Sequence, residues 1–179
     1  MILELSDEEK RQLKELAKGA IEETLFGKDR DKCEIPERLK QKAGAFVTLK
    51  KRGELRGCIG YTRAVLPLCD VVEKMAIESA FHDPRFNCIV EAEWEDVDIE
   101  ISVISPMRRI ESVDEIEVGV HGLYIECGGR SGLLLPQVAT EYNWDRDTFL
   151  EYTCYKAGLP RDAWKRKETD IYIFSAEVF

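Results

Sequence analysis

The segment 45–61 reads Ala45-Phe46-Val47-Thr48-Leu49-Lys50-Lys51-Arg52-Gly53-Glu54-Leu55-Arg56-Gly57-Cys58-Ile59-Gly60-Tyr61. Two apolar runs flank a glycine-bearing turn at 51–54, and this pattern predicts a β-hairpin. The second arm contains an unusual hexapeptide, Leu55 to Gly60, in which glycines lie on both sides of a cysteine. We expect the rest of the chain to be organised around this hairpin.

Helices and further strands are predicted on both sides of the hairpin. Helices are predicted where apolar residues recur at spacings of three and four between a polar cap and a proline or glycine stop. The predicted helices run from the Ser6–Glu9 capping box to Gly27, from Pro36 to before Gly44, from Pro67 to His82, from Pro136 to Tyr142 and from Asp145 to Ala157. A polar loop is expected at 28–34. Strands are predicted at 97–103, in a second hairpin around Gly128-Gly129, and at 170–179.

This order of elements predicts the fold class. Hairpins interleaved with helices favour an α+β fold with a mostly antiparallel or mixed sheet over a regular parallel one. The chain shows no internal repeat, no low-complexity tract and no linker. We therefore expect residues 1–179 to form a single domain of two closely joined lobes, with flanking helices and a smaller β-rich second lobe.

Composition limits the classes of function. The chain has 26 Lys and Arg against 35 Asp and Glu, a net charge of -9, so it repels nucleic acid unless its basic residues are concentrated on one face. We find no apolar run of the roughly 20 residues that span a bilayer, and the N-terminus lacks the features of a secretory signal. These features predict a soluble cytoplasmic protein without a membrane partner.

The cysteines and histidines give no metal-binding pattern. The six cysteines are scattered without a Cys-x-x-Cys pair, and only two histidines are present. A zinc site is therefore not expected. For a chain without an export signal, free thiols in a reducing compartment are expected in place of disulfides, and most of them should be small core residues.

The hexapeptide admits a chemical and a structural interpretation. In a regular strand Arg56 and Cys58 would share one face, and the guanidinium would favour the nucleophilic thiolate while Gly57 and Gly60 leave the backbone open to a ligand. Alternatively, the glycines serve a bulge or bend, Arg56 binds a carboxylate, and Cys58 fills a small gap. Sequence alone leaves both open.

At these residues the sequence resembles the AMMECR family, known from the first candidate gene of the region deleted in Alport syndrome with midface hypoplasia and elliptocytosis. The hexapeptide Leu55 to Gly60 is the family's signature. The resemblance continues through Ser79-Ala80, Asp83-Pro84-Arg85-Phe86, Glu100-Ile101-Ser102-Val103, His121-Gly122-Leu123, Leu135-Pro136-Gln137-Val138-Ala139, Trp144-Asp145 and Lys156-Ala157-Gly158. It therefore covers nearly the whole chain.

The resemblance implies a two-lobed α/β unit with a cleft between the lobes, but no established reaction or cofactor. It also implies partners, because prokaryotic relatives commonly occur beside or fused to Memo-like and radical S-adenosylmethionine proteins. Candidate cleft residues are then Arg56, Gly57, Gly60, Asp83, Arg85 and Ser102. Asp83 paired with Arg85 also has a plain structural interpretation.

Candidate proton carriers are few. His121 lies between two glycines and is the better candidate for a general base, although a hydrogen-bonded turn histidine explains it equally simply. Glu100 lies on the polar face of its strand, where it could act as a base or neutralise Arg56. Cys58 with His82 and Asp83 would imitate a thiol protease, but adjacent polar residues usually just end a helix.

Three functions therefore compete. The first is a binding protein whose cleft around Arg56 and Cys58 takes a small molecule or a partner protein in a modification pathway. The second is a thiol-dependent enzyme with Cys58 as nucleophile and His121 or Glu100 as proton carrier. The third, a nucleic-acid-associated factor, is disfavoured by the acidic balance.

Overall fold

The structure, a computed structural model, describes residues 4–27 and 34–179. Its α-helices are α1 (Asp7–Phe26), α2 (Leu68–Phe81), α3 (Pro136–Glu141) and α4 (Arg146–Lys156). Its strands are β1 (Gly44–Lys51), β2 (Glu54–Tyr61), β3 (Val97–Ile104), β4 (Arg108–Arg109), β5 (Gly122–Cys127), β6 (Arg130–Leu134), β7 (Asp170–Phe174) and β8 (Ala176–Val178). Short 3-10 helices lie at Glu37–Lys40, Glu91–Asp96, Val113–Glu115 and Ala163–Lys165.

The strands form two four-stranded antiparallel sheets, so the predicted α+β class is confirmed. One sheet has the order β2-β1-β3-β8 and the other β4-β7-β5-β6. The chain divides into two compact units, of which unit 1 holds the described residues up to Ile104 and the end Glu177–Phe179, and unit 2 holds Ser105–Ala176. The close joining of two lobes, expected from the absence of a linker, stays a prediction, as does the cleft that the resemblance implies.

In unit 1, helices α1 and α2 cover one face of the β1 hairpin. The alternate residues Ala45, Val47 and Leu49 of β1 are fully buried there, in one cluster with the apolar faces of both helices. Because side chains alternate along a strand, Phe46 and Thr48 point to the opposite face. The α1 helix begins with the predicted capping box, in which Ser6 and Glu9 bond each other's backbone N–H groups.

Unit 2 has a core of its own around β5 and β7. The buried side chains Leu123, Ile125, Ile171 and Ile173 pack there against Phe149 and Leu150 of α4. Asp145 caps this helix as predicted, since its carboxylate accepts the Thr148 N–H at 2.8 Å.

Most predicted elements are present, one lies mostly outside the described residues, and one differs. The predicted loop at 28–34 lies mostly outside the described residues. The prediction of one strand over 170–179 is wrong, because the chain leaves the sheet at Ser175 and forms β7 and β8 in different sheets. Ser175 exchanges hydrogen bonds with Ser105 at the point where the strand breaks.

Helix α2 approaches the sheet closely at Gly57. A Cβ atom on this residue would lie 2.1 Å from the backbone carbonyl oxygen of Ser79 in α2. The Ser79 hydroxyl also links the two hairpin strands, because it accepts the Ile59 N–H at 2.8 Å and donates to the Val47 carbonyl at 2.7 Å. The glycine therefore lets α2 sit directly on β2.

We expect Gly57→Ala to destabilise the protein by about 1–3 kcal/mol, because the added methyl group must displace helix backbone. Urea denaturation followed by circular dichroism measures this change. Leu55→Ala is the control in the same strand: Leu55 is 45% exposed, so its loss should change the free energy of unfolding by about 0.5 kcal/mol or less. Equal effects of the two substitutions would contradict this account of the packing.

Candidate functional site

The backbone of Cys58 is held by the loop that follows α2. The Cys58 N–H donates to the Asp83 carboxylate at 2.9 Å, and the Arg85 guanidinium donates to the Cys58 carbonyl at 3.0 Å. Asp83 and Arg85 are themselves joined by two side-chain hydrogen bonds of 2.9 and 2.7 Å. Since β2 is the edge strand, this pair satisfies both outward backbone groups of Cys58 and fixes the position of its thiol.

Asp83 is ionised in this arrangement. Its side chain is buried, and hydrogen bonds from the Arg85 side chain hold the pKa of the carboxyl far below its usual range. Burial opposes this effect, and the Cys58 and Arg85 backbone N–H groups reinforce it. The predicted pairing of Asp83 with Arg85 is thus confirmed, and the place of both residues in a binding cleft stays a prediction.

Arg56 does not share a face with Cys58, so that prediction is wrong. In the hairpin register Gly57 stands opposite Leu49 and Leu55 opposite Lys50, which leaves Arg56 as the extra residue of a β-bulge. A bulge interrupts the alternation of side chains. Arg56 therefore turns toward the helix-covered face, whereas Cys58 points to the opposite face with Thr48.

The Arg56 side chain is hydrogen-bonded to three described residues of unit 1, and its place in a binding cleft stays a prediction. Its guanidinium binds the Glu93 carboxylate at 2.6 Å and the carbonyls of Asn87 and Cys88 at 2.7 and 3.1 Å. Lys51 binds the same carboxylate at 2.8 Å. The pKa of Glu93 is lowered to about 2, and the hydrogen bonds from Arg56 are the largest cause. The alternative that Arg56 binds a carboxylate is confirmed, and the carboxylate belongs to Glu93.

The space beside Gly60, the second glycine of the hexapeptide, is also occupied. A Cβ atom on Gly60 would lie 2.0 Å from the ring of Phe46, so this ring lies over the glycine. Together with the Ser79 carbonyl at Gly57, it occupies one side of each glycine, the space that was expected to stay open to a ligand. The assignment of both glycines to a binding site stays a prediction.

The face opposite the helices carries the thiol. Cys58 stands directly across from Thr48 in a pair whose backbone groups point away from each other, the arrangement in which side chains approach most closely. The Thr48 hydroxyl lies 3.3 Å from the Cys58 sulfur, where it can donate to it. Thr48 is in turn opposite Glu100 of β3, so the three side chains form one row across three strands.

Glu100 and Ser102 lie on this same face. Lys50 binds Glu100 at 2.8 Å, so the prediction that Glu100 neutralises Arg56 is wrong. Ser102 is 1% exposed, stands opposite Phe46, and its hydroxyl has no hydrogen-bond partner among the described residues. A buried hydroxyl without a partner is costly, and it is available to a bound molecule.

The histidines are placed differently. His82 is exposed and approaches Glu78 at 3.4 Å, whereas the Asp83 oxygens are taken by Arg85 and the Cys58 backbone. The Cys58–His82–Asp83 constellation is therefore not present. His121 belongs to unit 2, and its Nδ1 accepts the Glu117 N–H at 3.1 Å, so its role as a base stays a prediction.

Sequence reasoning missed two residues of this region. Thr48 was an ordinary member of an apolar run, and only its pairing across the hairpin brings it to Cys58. Phe46 was likewise not singled out, although it covers Gly60. The hairpin register could have identified both residues, because the even-numbered residues of β1 face away from the helices.

The described part of the chain was compared with the patterns of metal sites and membrane spans. There, no three His, Cys, Asp or Glu side chains are grouped closely enough to hold a metal ion. Five of the six cysteines are described, and all five are free thiols, with Cys69, Cys127 and Cys154 buried. None of the helices in residues 4–27 and 34–179 offers an apolar stretch of the length that a bilayer span requires.

Comparison with known proteins gives consistent matches over almost the whole chain. The model of the family described as AMMECR1 matches residues 14–179. A protein of Methanothermobacter thermautotrophicus is 45% identical over 98% of this chain and 95% of its own length, and one of Aquifex aeolicus is 44% identical over 94% and 91%. The crystal structure of the uncharacterized protein PH0010 from Pyrococcus horikoshii superposes with a TM-score of 0.91 at 42% identity, covering 97% of this chain and 92% of that one.

We expect Asp83→Asn to cost about 2–3 kcal/mol of unfolding free energy at neutral pH, because the charge-assisted bonds to Arg85 are lost. Since the folded pKa of Asp83 lies below its unfolded value, its contribution is complete above about pH 5 and fades as pH falls through about 4. Urea titrations of both proteins from neutral pH to about pH 3 measure the difference. Asp98→Asn, at an exposed site, is the control. A constant difference across this range would contradict the argument.

Proposed function

Because this chain belongs to the AMMECR1 family, we propose that it is a binding protein whose ligand, a small molecule, lies on the face of the β2-β1-β3 sheet opposite the helices, at Cys58, Thr48 and Ser102. The observation that carries the proposal is the Ser102 hydroxyl, which is buried and has no partner among the described residues. A ligand with a hydrogen-bonding group would satisfy it. Cys58 is partly exposed on the same face.

The dimensions of this face suit a small molecule. Adjacent strands lie roughly 4.8 Å apart, so Cys58 and the β3 residues are separated by about 10 Å. Phe46 offers an apolar surface between them, and the Lys50–Glu100 ion pair borders it. An apolar floor with a few fixed polar groups is typical of ligand sites.

Arg56 supports this site indirectly. Its bonds to Glu93 and to the carbonyls of Asn87 and Cys88 hold the segment that follows the Asp83–Arg85 pair, and that pair fixes the backbone of Cys58. The hexapeptide thus supplies a rigid backbone and one partly exposed thiol, that of Cys58. Rigid positioning lowers the cost of binding. Memo-like and radical S-adenosylmethionine proteins, as the family context implies, are the proposed partners in a modification pathway.

The site is tested with a small-molecule library screened by thermal shift against the native protein. We expect a hit to slow alkylation of Cys58, and Ser102→Ala to weaken binding by about tenfold, since one hydrogen bond of roughly 1–1.5 kcal/mol is lost. Cys88→Ser is the control, because Cys88 is exposed in the loop next to the site and should leave affinity unchanged. Equal affinity of the native protein and Ser102→Ala would refute the proposal.

A thiol-dependent enzyme is the second candidate. Two observations favour it: the Thr48 hydroxyl lies 3.3 Å from the Cys58 sulfur, and the Arg85 guanidinium donates to the Cys58 carbonyl at 3.0 Å. A hydroxyl donor and a nearby guanidinium are features of reactive thiols.

For an enzyme we expect iodoacetamide to alkylate Cys58 faster than the more exposed Cys88. Thr48→Val removes the hydroxyl at nearly constant volume and should slow the alkylation of Cys58 about fivefold, while Cys88 is unchanged. Mass spectrometry of tryptic peptides measures both rates in one sample. A Cys58 that reacts more slowly than Cys88, with no effect of Thr48→Val, leaves only the binding function.

A further inference from the structure

The aromatic rings of Tyr142, Trp144 and Tyr152 form a stacked column in unit 2. The Trp144 ring stacks on Tyr142, with 5.1 Å between the ring centroids, and on Tyr152, with 4.2 Å. The ring planes are close to parallel, at 19° and 11°. Among the described rings the two tyrosines do not contact each other, so they lie on opposite faces of Trp144. We call these three rings the aromatic column, and none of them belongs to the Cys58 face.

The two ends of the aromatic column differ. At Tyr152 the column ends on a guanidinium, because that of Arg161 lies over the ring, 4.6 Å from its centroid. At Tyr142 it ends at the surface. This residue is 66% exposed although Trp144 covers one face of its ring, so the other face meets solvent. Trp144 and Tyr152 also pack against the core of unit 2, whereas Tyr142 is too exposed to do so. Core packing therefore does not account for the Tyr142 ring.

The end at Tyr152 shows which chemical group a ring of this column binds. The Arg161 guanidinium lies over Tyr152 and is 5.8 Å from the ring centroid of Tyr155. A guanidinium is planar, lies flat on an aromatic face, and is attracted by the electrons of the ring. Because the rings of the column are parallel, Tyr142 offers one flat face, which matches a planar cation better than the quaternary ammonium groups that several rings enclose. The free face of Tyr142 therefore suits a second guanidinium.

The chain around Tyr142 is acidic. Residues 131–145 contain two carboxylates, Glu141 and Asp145, and no Lys or Arg. Glu141 is exposed and pairs with no cation among the described residues. Asp145 caps α4, and the hydrogen bonds from Thr148 lower the pKa of its carboxyl, so it is ionised at neutral pH. Both carboxylates flank the outer part of the column in the sequence, and they favour a cation there.

The first cation after these residues is already bound within the chain. Arg146 binds Asp114 at 2.7 Å and approaches Asp147 at 3.8 Å. Its charge is therefore balanced, and the Glu141 carboxylate is left for a partner. A nucleotide could stack its base on the ring, but the same carboxylates would repel its phosphates. The combination of a flat ring face with carboxylates thus selects a guanidinium over a nucleobase.

We propose that the free face of Tyr142 binds an arginine side chain from an exposed segment of a partner protein. The guanidinium would lie flat on the Tyr142 ring, as that of Arg161 lies on Tyr152, and Glu141 would supply the opposite charge. This interaction surface is separate from the ligand site proposed at Cys58 and does not depend on it.

A second copy of this chain fits the surface less well. Each copy carries a net charge of -9, so two copies repel each other. The arginine at the other end of the column, Arg161, already lies over Tyr152 and approaches Glu151 at 4.0 Å. A basic segment of another protein has neither conflict.

The test compares two fluorescein-labelled peptides of equal length and charge, one of alternating glycine and arginine and one of alternating glycine and lysine. Because a chain of net charge -9 attracts both, only the difference between them reports on stacking. Anisotropy should show that the arginine peptide binds about threefold or more tightly. Tyr142→Leu should remove this difference, and Tyr142→Phe, which keeps the ring, should retain it.

Tyr155→Leu is the matched control, because Tyr155 is 65% exposed and lies near Arg161, away from the free face of Tyr142. It should leave both affinities unchanged, and circular dichroism should show that each variant is folded. Glu141→Gln should weaken the arginine peptide about twofold at low salt, and added salt should reduce this effect.

Equal affinity of the two peptides for the native protein, or a preference for arginine that survives Tyr142→Leu, overturns the proposal. A glycine–proline peptide or a single-stranded oligonucleotide that binds more tightly than the arginine peptide, and is weakened by Tyr142→Leu, assigns the ring to another class of partner and also overturns it. Sedimentation velocity covers the remaining occupant: self-association of the native protein that Tyr142→Leu abolishes assigns the ring to a second copy and overturns the proposal.

Discussion

The carboxylate of Asp83 is the constraint on which the site depends. It is buried, it accepts the Cys58 N–H, and it is held in place by Arg85, which in turn binds the Cys58 carbonyl. An edge strand normally exposes these backbone groups. Here a charged pair from the loop after α2 satisfies them, so the backbone that carries the thiol is held at the edge of the sheet. The loop and the strand therefore form one structural unit.

A second constraint comes from helix α2, on the other face of the sheet. The Ser79 carbonyl lies against Gly57, and the Ser79 hydroxyl connects Ile59 to Val47 across the hairpin. A larger side chain at 57 would push α2 off the sheet, and the loop that carries Asp83 leaves from the end of that helix. Gly57 and the Asp83 carboxylate thus both depend on the distance between α2 and β2.

The sequence was sufficient for most elements because they carry local signals. The capping box at Ser6 and the cap at Asp145 mark helix starts, and period-two alternation marks β3. The break at Ser175 has no such signal, since Asp170 to Phe179 is continuously strand-like and only pairing in two different sheets divides it. The bulge at Arg56 has no local sequence signal either. Regular alternation would place Arg56 on the same face as Cys58, and the one unpaired residue of the bulge puts it on the opposite face.

That reversal changes what the hexapeptide means chemically. An arginine beside a cysteine suggests an activated thiol, yet the guanidinium of Arg56 is used to bind Glu93 and two carbonyls on the other side of the strand. The cation that does reach Cys58 is Arg85, and the hydroxyl that reaches it is that of Thr48. Neither lies within the hexapeptide. Any chemistry of the thiol is therefore set by the partner strand and the loop after α2, and the hexapeptide contributes the backbone that holds Cys58 between them.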